Sequence, residues 1–176
     1  MKLTLASKIT IIRVALIPLI VLLMYLPGQV AAIAAIILFI LASVSDFVDG
    51  YIARKYNQVS TFGMFLDPLA DKFLVISVML VLVERGIFPG WAALIVVARE
   101  LAVTSLRLFA VEKDRVIAAA NSGKLKTAFT MPALVIMMLP VLLPAWLINA
   151  LWVIILLLTL YSGWEYFYKN MDVFKD

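Results

Sequence analysis

Four aspartates fall close together in an otherwise apolar sequence, in the pattern Asp46-x2-Asp49-Gly50-x2-Ala53-Arg54-x8-Gly63-x3-Asp67-x3-Asp71. Carboxylates in apolar surroundings are costly and are usually kept for function. Two of them about 6 Å apart repel by roughly 3 kcal/mol at an effective dielectric of 20, and a cluster of this size multiplies that term. Something must neutralise it. Oxygen-only donors suit hard divalent cations such as Mg²⁺ or Mn²⁺, with two ions as the expectation. The chain has no His and no Cys, so imidazole and thiolate are excluded as ligands and nucleophiles, and a base at neutral pH must be a carboxylate, Lys or Tyr.

Gly50, Ala53 and Gly63 lack bulk beside the acids and leave a furrow where a ligand could lie against backbone, with Arg54 adding positive charge. The alternatives are close helix packing for the small residues and a buried charge network with Arg54 and Lys72 for the acids. Pro68, directly after Asp67, is expected to kink its helix. A second constellation is basic. Arg99 and Glu100 would lie roughly mid-membrane, either as a structural ion pair or facing a polar cavity. Arg107 follows two turns on, nearly on the same side. Lys124, Lys126 and Thr127 open the next apolar run, and clustered Arg and Lys near a helix start suit a phosphate group. Lys124 and Lys126 also fit a plain topology signal. Thr10 and Arg13 have capping or interfacial anchoring as their alternative role.

These side chains need a helical scaffold. The 176-residue chain is 65% hydrophobic with a mean hydropathy of +1.10, whereas soluble domains are nearer about half apolar. The expected fold class is an all-α integral membrane protein, a single domain over 1–176 with no repeat. Runs near the length of about 20 residues that crosses a bilayer fall at 8–26, 30–54, 61–83, 89–112, 124–143 and 146–168, giving six transmembrane helices. Leu26-Pro27-Gly28, Gly86 to Pro89 and Pro140 to Pro144 are turn signals on one side, and Tyr56 to Ser60 and Glu112 to Gly123 are polar connections on the other. Ile9 to Leu26 is longer than a secretory h-region and no small-residue cleavage site follows, so this helix is expected to be retained.

Lys2, Lys8, Lys55, Lys113, Arg115, Lys124, Lys126, Lys169 and Lys175 lie at the termini or in the even-numbered connections, with only Arg85 in an odd one. The positive-inside rule then places both termini in the cytoplasm. Trp91, Trp146 and Trp152 near one face, and Tyr161, Trp164, Tyr166 and Tyr168 near the other, fit interfacial belts. The net charge of +4 follows from this topology and from attraction to anionic lipid, and gives no ground for nucleic-acid binding. At about 100° per residue, Asp46, Asp49, Gly50 and Ala53 share one helix face, and Gly63, Asp67 and Asp71 form one stripe. Folding the hairpin about residue 58 levels Asp49 with Asp67 and Asp46 with Asp71. Counting from Val30 at about 1.5 Å per residue puts Asp46 roughly 24 Å across the core, near the cytoplasmic interface of an inner membrane.

The stretch from Asp46 to Asp71 resembles the complete signature of the CDP-alcohol phosphatidyltransferases, with every spacing kept. The resemblance implies that Asp46, Asp49, Asp67 and Asp71 ligate two divalent ions that hold the pyrophosphate of a CDP-linked lipid. It further implies that Asp71 doubles as general base, and that Gly50, Ala53, Arg54 and Gly63 cradle the nucleotide. Thr10-x2-Arg13 followed by Pro18, Ala98-Arg99-Glu100 leading to Leu106-Arg107, and Gly123-Lys124-x-Lys126-Thr127 resemble the phosphatidylglycerophosphate-forming branch. That branch implies CDP-diacylglycerol as donor and sn-glycerol-3-phosphate as acceptor. Thr10 and Arg13 would then lie near the nucleotide, and Arg99, Arg107, Lys124, Lys126 and Thr127 would bind the acceptor phosphate. A homodimer is implied by the resemblance alone. The rival readings are a sister transferase using serine, inositol phosphate or phosphatidylglycerol, and a small cation transporter. Transporter sites usually lie near the midplane between repeats, unlike these acids.

Overall fold

A computed structural model describes residues 5–55, 61–112, 120–139 and 143–171, with side chains described outside 5–8, 46–55, 61–68 and 111–112. The described residues form six α-helices and no strand: α1 Leu5–Tyr25, α2 Gln29–Lys55, α3 Thr61–Glu84, α4 Gly90–Glu112, α5 Asn121–Met138 and α6 Ala145–Lys169. Each falls on one of the six apolar runs. The turns are set by residues that cannot continue a helix. Gly28 after Pro27 has φ +104° and Gly86 has φ +69°, a left-handed backbone that glycine adopts without strain. The Gly86 amide closes the end of α3 on the Val83 carbonyl at 2.9 Å.

α1 begins three residues ahead of the expected 8, and α5 departs furthest from its expected bounds. It starts earlier, because the Ala120 carbonyl accepts from Gly123 and Lys124 and so initiates the helix ahead of the lysines. It stops at Met138 because Leu139 precedes Pro140, and a residue before proline is pushed out of the α region. The helices continue through Pro18 in α1, Pro68 in α3 and Pro132 in α5.

The chain forms two compact units. One comprises Met1–Leu82 with Leu134–Leu142, and the other Val83–Ala133 with Leu143–Asp176. In the first, α1 packs along α2. Ile17, Ile20 and Met24 of α1, and Ala35, Phe39 and Ala42 of α2, are buried at the three-and-four spacing of a helix face. In the second, α4 packs along α6, with Val103, Leu106 and Ala110 clustered on Tyr166 and Trp91 edge-on to Trp152 at 5.7 Å. Among the described residues, α6 is long and apolar enough to cross a membrane, and Ile9–Tyr25 and Gln29–Ser45 are shorter apolar stretches. The outward sides of the helices are apolar as well: Ile12, Leu22, Ile37, Leu80, Leu94, Leu108 and Leu157 are all exposed.

The aromatic belt needs one correction. Tyr161, Trp164 and Tyr168 are exposed, but Tyr166 is 2% exposed. It lies on the opposite face of α6, where Thr159, Ser162 and Gly163 are also buried.

Candidate active site

Asp46 and Asp49 are three residues apart on α2, and Asp67 and Asp71 four apart on α3. Helix geometry therefore puts each pair of positions on one face. The side chains of Asp46, Asp49, Gly50, Ala53, Arg54, Gly63 and Asp67 lie outside the described set, so the expected convergence of acids falls there too. Asp71 is half-buried on α3 and has an interaction partner. The donor set is all carboxylate in a chain without His or Cys, which fits hard divalent cations.

In the first unit, α1 buries a cation. Arg13 is 1% exposed and Thr10 0%, so neither is the interfacial anchor that their positions near the chain start allow. Arg13 Nε donates to Ser45 Oγ at 3.3 Å, and Ser45 Oγ donates in turn to the Ala42 carbonyl at 2.8 Å. Ser45 immediately precedes Asp46. A guanidinium fixed by α1 is thus tied to the turn of α2 that begins the acidic pattern. A buried charge is kept only where it is paired or used.

The second unit holds the basic constellation. Arg99 Nη1 donates to Glu100 Oε1 at 3.0 Å, and the same oxygen accepts from Lys126 Nζ. Arg99 and Glu100 are largely buried, and Lys126 is 6% exposed. Arg99 with Glu100 is therefore an ion pair that also draws in α5. Arg99 lies across α6 where that helix carries Gly163: a Cβ there would meet Arg99 Cγ at 3.1 Å. Arg99 Nε is a buried polar atom without a hydrogen-bond partner among the described residues, an atom that could serve a polar ligand or water.

Arg107, about 12 Å further along α4, is exposed. Its Nε donates to the Tyr166 hydroxyl at 2.9 Å, and its guanidinium carbon is 5.5 Å from that ring's centre. Lys124 is exposed, as is Thr127, whose hydroxyl donates back to the Gly123 carbonyl at 3.2 Å. The structure thus joins Arg99 and Lys126 through Glu100, attaches Arg107 to α6, and leaves Lys124 and Thr127 on the helix surface. A cavity of about 490 Å³ at the α3–α4 turn and the start of α6, lined by Phe88, Pro89, Ile148, Asn149 and Trp152 among others, has no ionisable lining residue.

The family model for CDP-alcohol phosphatidyltransferase matches residues 3–161. The chain belongs to that family. It is 43% identical to the CDP-diacylglycerol–glycerol-3-phosphate 3-phosphatidyltransferase of Bacillus subtilis (strain 168), with 97% of each chain covered. It is 42% identical to the protein of that name from Rickettsia bellii over 77% of this chain and 75% of the relative. For the one from Escherichia coli (strain K12) the figure is 40% over 76% of each. The family model spans both the acidic pattern and the basic constellation.

Gly163 and Ser45 were not among the residues singled out from the sequence, and Tyr166 was read there only as part of an interfacial belt. A signal for Gly163 and Tyr166 exists: Thr159, Ser162, Gly163 and Tyr166 repeat at three and four residues and form a small or polar stripe in an apolar helix. Ser45 carries no such pattern.

Proposed function

We propose that this protein transfers the phosphatidyl group of CDP-diacylglycerol to sn-glycerol-3-phosphate, giving phosphatidylglycerophosphate and CMP. The observation that carries this reading is the match to the Bacillus subtilis enzyme along 97% of both chains. The acidic pattern that binds a pyrophosphate-linked donor is intact at every position. The acceptor assignment rests on the names of the relatives and on cationic side chains suited to a phosphomonoester.

The hydroxyl oxygen of glycerol-3-phosphate attacks the phosphorus that carries diacylglycerol. The bond from that phosphorus to the bridging oxygen breaks, and CMP departs. Asp71 accepts the hydroxyl proton, which requires reach and a free lone pair rather than an unusual acidity. Asp46, Asp49, Asp67 and Asp71 would hold the divalent ions, Mg²⁺ or Mn²⁺ and two in number. Bound there, such ions supply charge neutralisation of the pyrophosphate and of the departing phosphate. Gly50, Ala53 and Gly63 leave room for the cytidine diphosphate beside Arg54, with Thr10 and Arg13 near it. Arg99, Arg107, Lys124, Lys126 and Thr127 bind the acceptor phosphate.

The protein works in the inner membrane as a single domain and a homodimer, with six transmembrane helices and its termini and active site on the cytoplasmic side. The apolar outward surface of the helices and the distribution of Lys and Arg support that placement. A competition assay offering radiolabelled glycerol-3-phosphate, serine, inositol phosphate and phosphatidylglycerol with CDP-diacylglycerol tests the proposal. Dominant incorporation of glycerol-3-phosphate is expected; preference for another acceptor overturns it.

A further inference from the structure

We infer that Tyr166 is a positioning residue for the acceptor phosphate, acting through Arg107. This rests on the acceptor reading above and deepens it, because it names what fixes the phosphate-binding group and so favours a phosphorylated acceptor. An exposed arginine samples many rotamers, and holding it for a ligand costs entropy. Arg107 is exposed, but its Nε is held by a hydroxyl 2.9 Å away.

That hydroxyl is rigid. Tyr166 is buried among Val103, Leu106 and Ala110, with Phe167 packed against the cluster. Tyr161 and Tyr168, on the other face of α6, are instead exposed. A tyrosine meant only to anchor a helix end keeps its hydroxyl toward water and headgroups. This one directs it to a cation instead.

The guanidinium offers its donors as a planar fork. With Nε occupied, the two terminal nitrogens have no hydrogen-bond partner among the described residues. They form the edge that grips two oxygens of a phosphate at once. A neutral acceptor gains nothing from an arginine set in this way. The phosphomonoester of the acceptor does.

The test uses the purified full-length protein in mixed micelles with CDP-diacylglycerol. It measures kcat and KM for glycerol-3-phosphate, and KM for the CDP-lipid, in Tyr166→Phe, Arg107→Ala and the double variant. Tyr166→Phe removes one oxygen and keeps the ring, so it preserves the packing. It is expected to raise the acceptor KM about tenfold, with kcat and the CDP-lipid KM within about twofold of wild type. In the Arg107→Ala background, where there is nothing to position, it should add no further rise.

An unchanged acceptor KM in Tyr166→Phe, while Arg107→Ala raises it, overturns the positioning role and leaves the acceptor pocket standing. An unchanged acceptor KM in Arg107→Ala overturns the pocket and the inference together. Equal losses toward both substrates, or full additivity in the double variant, show a structural role and overturn the inference.

Discussion

Glu100 ties two cations of the second unit together. Its Oε1 accepts from Arg99 at 3.0 Å and also from Lys126, so the two cationic nitrogens are held within about 5 Å of one another. At that spacing they repel by about 3 kcal/mol at an effective dielectric of 20, a repulsion the carboxylate now offsets. Glu100→Gln keeps the shape and an accepting oxygen but removes the negative charge. Removing one partner of a buried ionic group costs about 3–5 kcal/mol. The residual solvent access of Arg99 and Glu100 brings the expected loss to about 2–3 kcal/mol. At about 2–4 °C per kcal/mol for a chain of this size, the melting temperature should fall by roughly 5–10 °C. The assay is thermal unfolding of the detergent-solubilised protein by circular dichroism, with acceptor KM measured in parallel. Adding Lys126→Met removes one of the two cations and should restore most of the loss. A Glu100→Gln melt within about 1 °C of wild type, or a double variant no more stable than the single one, would refute the charge-sharing argument.

Exhaustive chelation should abolish CMP release, and Mg²⁺ or Mn²⁺ should restore it; turnover indifferent to chelation removes the metal reading. Asp71→Asn should lower turnover by at least about 10³-fold, of the order lost with a general base, while leaving the melting temperature near wild type; CMP release at the wild-type rate would exclude Asp71 as base. Gly163→Ala places a Cβ 3.1 Å from Arg99 Cγ, an overpacking that should cost about 1–3 kcal/mol and raise acceptor KM; a variant kinetically identical to wild type would show that Arg99 moves aside freely. Arg13→Met keeps the length of a buried side chain without its charge. It should raise the KM for CDP-diacylglycerol, and an unchanged KM for that lipid separates Arg13 from the donor site.

The six helices were legible because each is an apolar run cut by residues with a local reason to stop it, such as Gly28 and Gly86 with positive φ. The start of α5 was not. Asn121 and Ser122 look like loop by composition, and only the Ala120 carbonyl accepting from Gly123 and Lys124 makes them helix. For the site, residue type and spacing identified the acids and the basic residues, because charge in an apolar chain stands out. They could not separate Lys126 from Lys124, two residues apart with one buried and the other exposed, since that depends on where Glu100 of α4 sits beside α5. Nor could they pair Arg13 with Ser45, which needs the register between α1 and α2. Tyr166 was grouped with Tyr161, Trp164 and Tyr168 by aromatic character near a helix end. Which side of α6 each occupies is settled by packing.

The two sides of α6 also restrict how the second unit could move during turnover. Spinning that helix about its own axis by a single residue, about 100°, would take the Tyr166 hydroxyl away from Arg107 and Gly163 away from Arg99, and turn Glu165 or Phe167 to the place of the phenol against α4. Rolling is therefore disfavoured by both contacts at once. Tilting or lengthwise sliding of α4 and α6 together keeps both contacts, with the arginines of α4 carried along by the glycine notch and the phenol they rest against.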